Sequence, residues 1–379
     1  MKKSSFVCCL IIFCLAFFFL FSSFSPNIAY ASHEFSTSAK AMCLMESSTN
    51  RVLRSKNEHM RLPMASTTKI MTAITAIEHC KNLDEKFVVS KKAIGVSGTS
   101  LYLRDDEELS IRDLLYGLML VSGNDASVAI GERISGNVEF FVDLMNVTAK
   151  KIGAKNTHFE NTHGLDEKGH YTSAYDLALI SSYALKNPVF KEIVGTKNIK
   201  ITSGQGKDRY LQNKNKLLRK YEGANGVKTG FTDDAGRCFV GSAERDGMTL
   251  VCSVLSCGPM FEDCASLLDE GFKNYKMIDV TERVFRHRRL NVVDGKREFA
   301  IISPKEKYYY PMRDYEIDKI SFKEKLQDQV KAPMRKGEEV GEIEIFFDNN
   351  LIFSLKFTTI EDVDTKGVIE RFFDILNRW

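Results

Sequence analysis

Residues 63–77 constrain this chain more than any other stretch. From Ser66 the sequence runs Ser-Thr-Thr-Lys-Ile-Met-Thr-Ala-Ile-Thr-Ala-Ile, and Ile70, Ala73, Ile74 and Ile77 recur at steps of three and four. That period lays the apolar side chains along one face of a helix that must be buried. Pro63 stands just upstream, where its missing N–H leaves the helix interior intact. Ser66 and Lys69, three apart, project from one face. A hydroxyl is a weak nucleophile until a base takes its proton, and a lysine is such a base only when burial or a second cation lowers its pKa. The start of a helix adds free N–H groups and a positive dipole end, both suited to charge developing on a carbonyl oxygen. The same residues also read as an N-cap serine followed by a solvent-facing lysine, so the pair needs context.

Two later stretches supply context. Ile111, Leu114, Leu115, Leu118 and Met119 form the apolar face of a helix that opens at Ser110, with Asp113 at the capping-box position. It ends at Ser122-Gly123, where the glycine permits a tight turn, and Asn124-Asp125 begins a helix with Ala126, Ala129 and Ile130 inward. Ser122 and Asn124 therefore sit on a loop held by two apolar helices, a common setting for functional groups. Ordinary turn chemistry is the competing reading of Ser-Gly-Asn. Farther on, Val227–Thr232, Gly236–Ala243 and Met248–Leu255 read as strands joined by short turns, one marked by Asp246-Gly247. They predict an antiparallel meander, with Lys228 and Thr229 on an edge strand facing Ser66. Residues 261–275 return to helix.

The amino terminus has another purpose. Met1-Lys2-Lys3, an apolar run from Phe6 to Phe24 and Ala29-Tyr30-Ala31 read as a secretory signal peptide over residues 1–31. An uncleaved span is the alternative, because about 20 apolar residues cross a bilayer. The remaining chain, about 350 residues, is long enough for at least two domains. Formal charge is only +3, which leaves no electrostatic footprint for nucleic acid. Cys43, Cys80, Cys238, Cys252, Cys257 and Cys264 include no Cys-x-x-Cys pair and read as buried thiols, with disulfides left open. The acidic run Asp105–Glu108 reads as a solvated turn, residues 196–224 as a polar stretch with surface lysines, and His163 as a residue that orders a loop rather than a base.

After about residue 277 short apolar strands alternate with charged turns, and Asp348-Asn349-Asn350 joins two of them as a hairpin. This predicts an all-β module over residues 278–362, following a catalytic domain over 32–277. In the last segment, 363–379, Val368, Ile369, Phe372, Phe373, Leu376 and Trp379 share one helical face. That pattern predicts an amphipathic helix lying on the outer face of the cytoplasmic membrane, with docking on its own domain as the alternative.

Ser66-Thr67-Thr68-Lys69, Ser122-Gly123-Asn124 and Lys228-Thr229-Gly230 match in order and separation the three signatures of penicillin-binding proteins and class A β-lactamases. With the flanking strings and His163-Gly164-Leu165, the chain resembles the low-molecular-weight penicillin-binding proteins, specifically a D-alanyl-D-alanine carboxypeptidase of the Gram-positive, sporulation-associated type. The resemblance implies an α/β (α+β) transpeptidase-like domain, its antiparallel sheet flanked by helices, then the small all-β domain and terminal helix. It implies Ser66 as nucleophile, Lys69 as base, and Ser122, bonded to Lys69 and Lys228, as proton shuttle. Asn124 would hold the substrate, Lys228, Thr229 and Gly230 would line the terminal-carboxylate site, and N–H groups of Ser66 and Phe231 would form the oxyanion hole. Phe231 departs from relatives that carry histidine. The implied partners are peptidoglycan pentapeptide stems and, as covalent inhibitors, β-lactams, with no metal or organic cofactor. A D,D-endopeptidase would use the same site. A β-lactamase lacks support, because no Glu-x-x-Leu-Asn string lies between the second and third motifs. A non-enzymatic wall-binding protein would leave the Ser and Lys pattern unexplained.

Overall fold

The computed structural model describes residues 37–284 and 288–376; the signal-peptide reading and Trp379 lie outside the described residues. Five strands form an antiparallel sheet in the order Val52–Lys56, Ala41–Glu46, Met248–Leu255, Gly236–Arg245, Ala224–Thr232. The meander turn at Asp246 and Gly247 has φ of +49° and +76°, the left-handed pair that a two-residue hairpin requires. Helices cover both faces, which is why the central strand Met248–Leu255 is apolar on both sides. Ala174–Leu185 packs on one face, with Ser253 Oγ donating to Ala174 O at 2.5 Å. Met260–Asn274 covers the other so closely that a Cβ on Gly271 would lie 2.5 Å from Leu250 Cδ1.

Between the first hairpin and the meander the chain builds a helical layer. Its central helix, Lys69–His79, is buried from Lys69 through Ala76 rather than along one stripe, because neighbouring elements enclose it. Thr72 is accommodated by donating to Thr162 O at 2.7 Å. The helix Ile111–Tyr116 opens with the expected capping box, Ser110 Oγ accepting from Asp113 N at 3.1 Å and the Asp113 carboxylate accepting from Ser110 N. Two readings of surface segments need correction. The polar stretch contains a hairpin, Asn198–Thr202 paired with Asp208–Gln212. The acidic run is not solvated throughout: Glu107 is buried and ion-paired with Arg209 of that hairpin.

A second, six-stranded sheet follows, in the order Ile320–Leu326, Glu339–Phe347, Asn350–Thr359, Phe299–Pro304, Arg288–Val293, Gln329–Lys331. It has its own apolar core, including Ile343, Ile345, Leu355 and Phe357. Asp348 and Asn349 take φ of +50° and +64°, the predicted hairpin turn. The molecule is thus an α/β domain followed by a smaller β-rich one. Arg51, from the first hairpin, joins them: it bonds Glu316 at 2.8 Å and lies over the rings of Tyr310 and Phe347.

Anchoring of the chain by a membrane-spanning terminal helix is overturned. That helix, Val368–Leu376, has nine residues. At 1.5 Å per residue it is about 14 Å long, against roughly 30 Å of hydrocarbon. Among the described residues no helix is long and apolar enough to cross a membrane.

Candidate active site

Ser66 lies in a 3-10 turn, Ala65–Thr68, that runs directly into the Lys69–His79 helix. Ala65 stands at φ +48°, a conformation that needs outside support in a residue with a Cβ. The support comes from packing and hydrogen bonds: Thr68 Oγ1 donates to Ala65 O at 2.8 Å, and Gly164 lies so close that a Cβ there would be 2.0 Å from that oxygen.

Lys69 is fully buried, and its Nζ lies 2.9 Å from Ser66 Oγ, 2.7 Å from Asn124 Oδ1 and 2.6 Å from His163 O. Burial above all, then the cations of Lys228 and Lys214, hold its pKa well below the ordinary lysine value. Lys228 is also buried, its Nζ 3.0 Å from Thr229 O, and burial with the Lys214 charge brings its pKa down to about 7.

The second motif differs from expectation in two details. The left-handed residue is Ser122, at φ +68°, whereas Gly123 has φ −59°. Gly123 is required for space instead: a Cβ would lie 2.8 Å from Asp125 Oδ1 and 3.1 Å from Leu101 N. Nor, among the described residues, does Ser122 Oγ bond Lys69 or Lys228; Asn124 occupies Lys69, and Asn124 Nδ2 donates to Ser97 O at 2.6 Å.

The Lys-Thr-Gly strand is the sheet edge beside the Ser66 turn. Gly230 lets the two backbones meet, since a Cβ would be 3.0 Å from Ser66 N. A cleft of about 770 Å³ opens here, lined by Ser66, Ser122, Asn124, Thr229, Gly230 and Phe231, with the two lysines buried behind it. The structure thus brings together all eight residues singled out from the sequence.

Other contributors lacked a local signal. The His163 carbonyl, rather than its imidazole, meets Lys69, while His163 Nδ1 accepts from Leu165 N at 3.2 Å and orders the loop as read. Buried His170 accepts from Glu160 N at 3.0 Å through Nδ1 and meets Thr68 Oγ1 at 2.8 Å through Nε2. Asp125 accepts from Ser100 Oγ, Leu101 N and Leu103 N at 2.6, 2.8 and 3.0 Å, fixing the loop beside Ser122. The six described cysteines are free thiols.

Residues 28–258 match the family model described as D-alanyl-D-alanine carboxypeptidase. The chain belongs to that family. Residues 272–365 match the C-terminal domain of penicillin-binding protein 5. Over 366 residues, 94% of each chain, the sequence is 32% identical to D-alanyl-D-alanine carboxypeptidase DacF of Bacillus subtilis. It is 30% identical to DacD of Escherichia coli over 374 residues, 92% of this chain and 93% of that one. The structure superposes on penicillin-binding protein 5 of Haemophilus influenzae with a TM-score of 0.71 at 28% identity, covering 87% of this chain and 98% of the other. This carboxypeptidase is accordingly a penicillin-binding serine hydrolase that acts on peptidoglycan D-Ala-D-Ala ends through an acyl-enzyme, outside the cytoplasm.

Proposed function

We propose that Ser66 is the nucleophile and Lys69 its base, and that the remaining cleft residues divide the labour of substrate binding and proton transfer. The observation that carries this is the 2.9 Å approach of Lys69 Nζ to Ser66 Oγ in a site that excludes water from the amine. A neutral amine has two N–H donors and one lone pair. The donors suit Asn124 Oδ1 and His163 O, leaving the lone pair for the Ser66 hydroxyl proton.

In this reading Ser66 Oγ attacks the carbonyl between the two terminal D-alanines as Lys69 takes its proton. The oxyanion is received by the N–H groups of Ser66 and Phe231. The C–N bond then breaks, and the leaving D-alanine amine gains, through Ser122, the proton that Lys69 took, which returns Lys69 to its neutral form. Water hydrolyses the acyl ester, returning free Ser66. Asn124 holds the stem peptide, while Lys228, Thr229 and Gly230 form the subsite for the terminal carboxylate, where charge-assisted bonds are strong. We assign residues 1–31 to an export signal, 32–277 to the catalytic domain, 278–362 to the β-domain and 363–379 to a terminal segment. The two family matches support the central boundary. The working location in this reading is the cell wall.

Incubation with a β-lactam followed by intact mass and peptide mapping tests the assignment. A single adduct on Ser66, lost with D-alanine release in Ser66→Ala, is the expected result. An adduct mapped elsewhere, or full turnover by Ser66→Ala, refutes it.

A further inference from the structure

Beside the catalytic cleft lies a second groove of about 760 Å³ that the reaction as described does not use. One wall is the loop from Thr99 to Arg104; the other is the strand Asp208–Gln212. The groove and the cleft share Thr99 and Lys214 in their linings. Thr99 ties them together: its Oγ1 donates to Ser122 O at 2.5 Å, and its carbonyl accepts from Asn124 N at 2.7 Å.

The two walls are clamped. The Arg209 guanidinium pairs with buried Glu107 and donates to Leu101 O at 3.0 Å and Tyr102 O at 2.9 Å. Tyr102 is held at φ +61°, which a bulky residue avoids, with its side chain in solvent at 79% exposure. Tyr210, on the opposite wall, is 78% exposed. Two large aromatics in water, one on strained backbone held by a buried ion pair, form a surface the fold does not need.

Charge indicates the ligand. Arg104, Lys207, Arg209 and Lys214 line the groove against one carboxylate, Asp208. Arg209 is neutralised by Glu107, and Asp208 by Lys200 at 2.7 Å. Among the described residues Arg104, Lys207 and Lys214 have no ion-pair partner in the structure, although Asp105 and Asp106 adjoin Arg104 in sequence, Asp105 pairs with Lys91, and Lys207 lies near enough to Glu107 to add to the charge that lowers its pKa. The groove therefore presents cations without an ion-pair partner beside two exposed tyrosines, Tyr210 with Lys200 Nζ 5.8 Å from its ring centroid, an arrangement complementary to an anionic, partly aliphatic chain.

We propose that this groove is a second substrate subsite that takes a carboxylate carried by the stem peptide upstream of the scissile bond. The inference rests on Ser66 as the attacking group, which puts the D-alanine end in the cleft and the rest of the stem outside it. The cations read the carboxylate and the tyrosines flank the aliphatic portion of the stem. Lys214, at the junction, reaches both spaces.

The test uses two synthetic pentapeptides with the same D-Ala-D-Ala end, differing only in one upstream group, carboxylate or carboxamide. Full-length mature enzyme should prefer the carboxylate by about tenfold in kcat/KM, chiefly through KM, and the preference should shrink as salt is raised. Arg104→Gln combined with Lys207→Gln should reduce it to about twofold or less, with β-lactam acylation of Ser66 and melting temperature unchanged. Tyr102→Ala should raise KM for both peptides. Equal use of the two peptides by wild type, or full preference in the double variant, overturns the subsite. A gain from an attached disaccharide that depends on Tyr102 but not on the carboxylate assigns the groove to sugar and likewise overturns it. D-Alanine release without a Ser66 adduct instead indicts the catalytic reading, so the two failures are distinguishable.

Discussion

Lys69 shows how a single residue's chemistry depends on where its neighbours put it. In water its amine is protonated and useless as a base; under complete burial, with Lys228 and Lys214 nearby, its pKa is driven well down. Arginine would keep the position filled while remaining protonated at any accessible pH. Lys69→Arg should therefore slow β-lactam acylation by about 10²–10⁴-fold, the usual range for loss of a general base. Stopped-flow acylation with circular dichroism as a folding control measures this. Normal acylation by a folded variant would remove Lys69 from the base role.

Among the elements, the junction between the two domains carries the clearest mechanical consequence. Arg51 leaves the turn after the first strand and is enclosed by Glu316 and the rings of Tyr275, Tyr310 and Phe347. Both ion-pair side chains are only about a tenth exposed, at 11% and 10%. Removing one partner leaves the other charge buried without compensation, a change that costs roughly 3–5 kcal/mol in fully buried pairs and less here for the residual exposure. Arg51→Ala should lower the melting temperature by several degrees or split the transition in two, while D-alanine release from a short peptide stays within about twofold, because no cleft residue is touched. Arg51→Lys should recover little, since an ammonium lacks the planar fork that stacks and bonds together. An unchanged calorimetric trace would mean the junction is held elsewhere.

For the molecule as a whole, stability is tied to pH through a histidine buried behind the Ser66 turn. His170 has its pKa lowered to about 4, first by burial and then by His163, His158 and Lys69. Its Nδ1 accepts from Glu160 N, so Nε2 carries the proton and donates to Thr68 Oγ1, which itself donates to Ala65 O. Protonating Nδ1 leaves the Nε2–H bond to Thr68 in place but removes the acceptor that Glu160 N–H uses and puts a charge into a buried site. Between about 4 and 6.5 the unfolded state binds more protons than the folded state at this site, so stability rises with pH across that window. The contribution is complete above 6.5 and is lost as pH falls toward 4. It amounts to roughly 3 kcal/mol at most from the shift of 6.5 to about 4. Denaturant midpoints across this range should fall with acidification in wild type and less steeply in His170→Asn, where one titrating group is gone. Parallel slopes would exclude His170 as a source.

Local chemistry made much of this protein legible in advance. The 3.6-residue period after Ser66, the capping box at Ser110 and the left-handed turn pairs at residues 246–247 and 348–349 act within a few residues, so their outcome follows from the residues themselves. Ser66, Ser122 and Lys228 stand out in the sequence because each sits in a motif with a chemical reason for its spacing, and the structure brings them to one cleft. Tertiary structure alone decided what lies behind them. Nothing near residue 163 in sequence says that its carbonyl will meet Lys69, and nothing in the polar stretch says that Arg209 will bury Glu107 from an apparently solvated acidic run. The strain went to Ser122 and Ala65 rather than to Gly123, since close packing at Leu101 and Gly164 outweighed intrinsic backbone preference. The terminal helix shows a limit of pattern: its amphipathic period is legible, but its described length of nine residues rules out a membrane-spanning anchor. Hydrogen-bonding and apolar preferences are local properties that sequence carries directly. Proximity between distant residues exists only once the sheet and helices have packed, and the depressed pKa values, the cleft and the charged groove beside it all arise from that proximity.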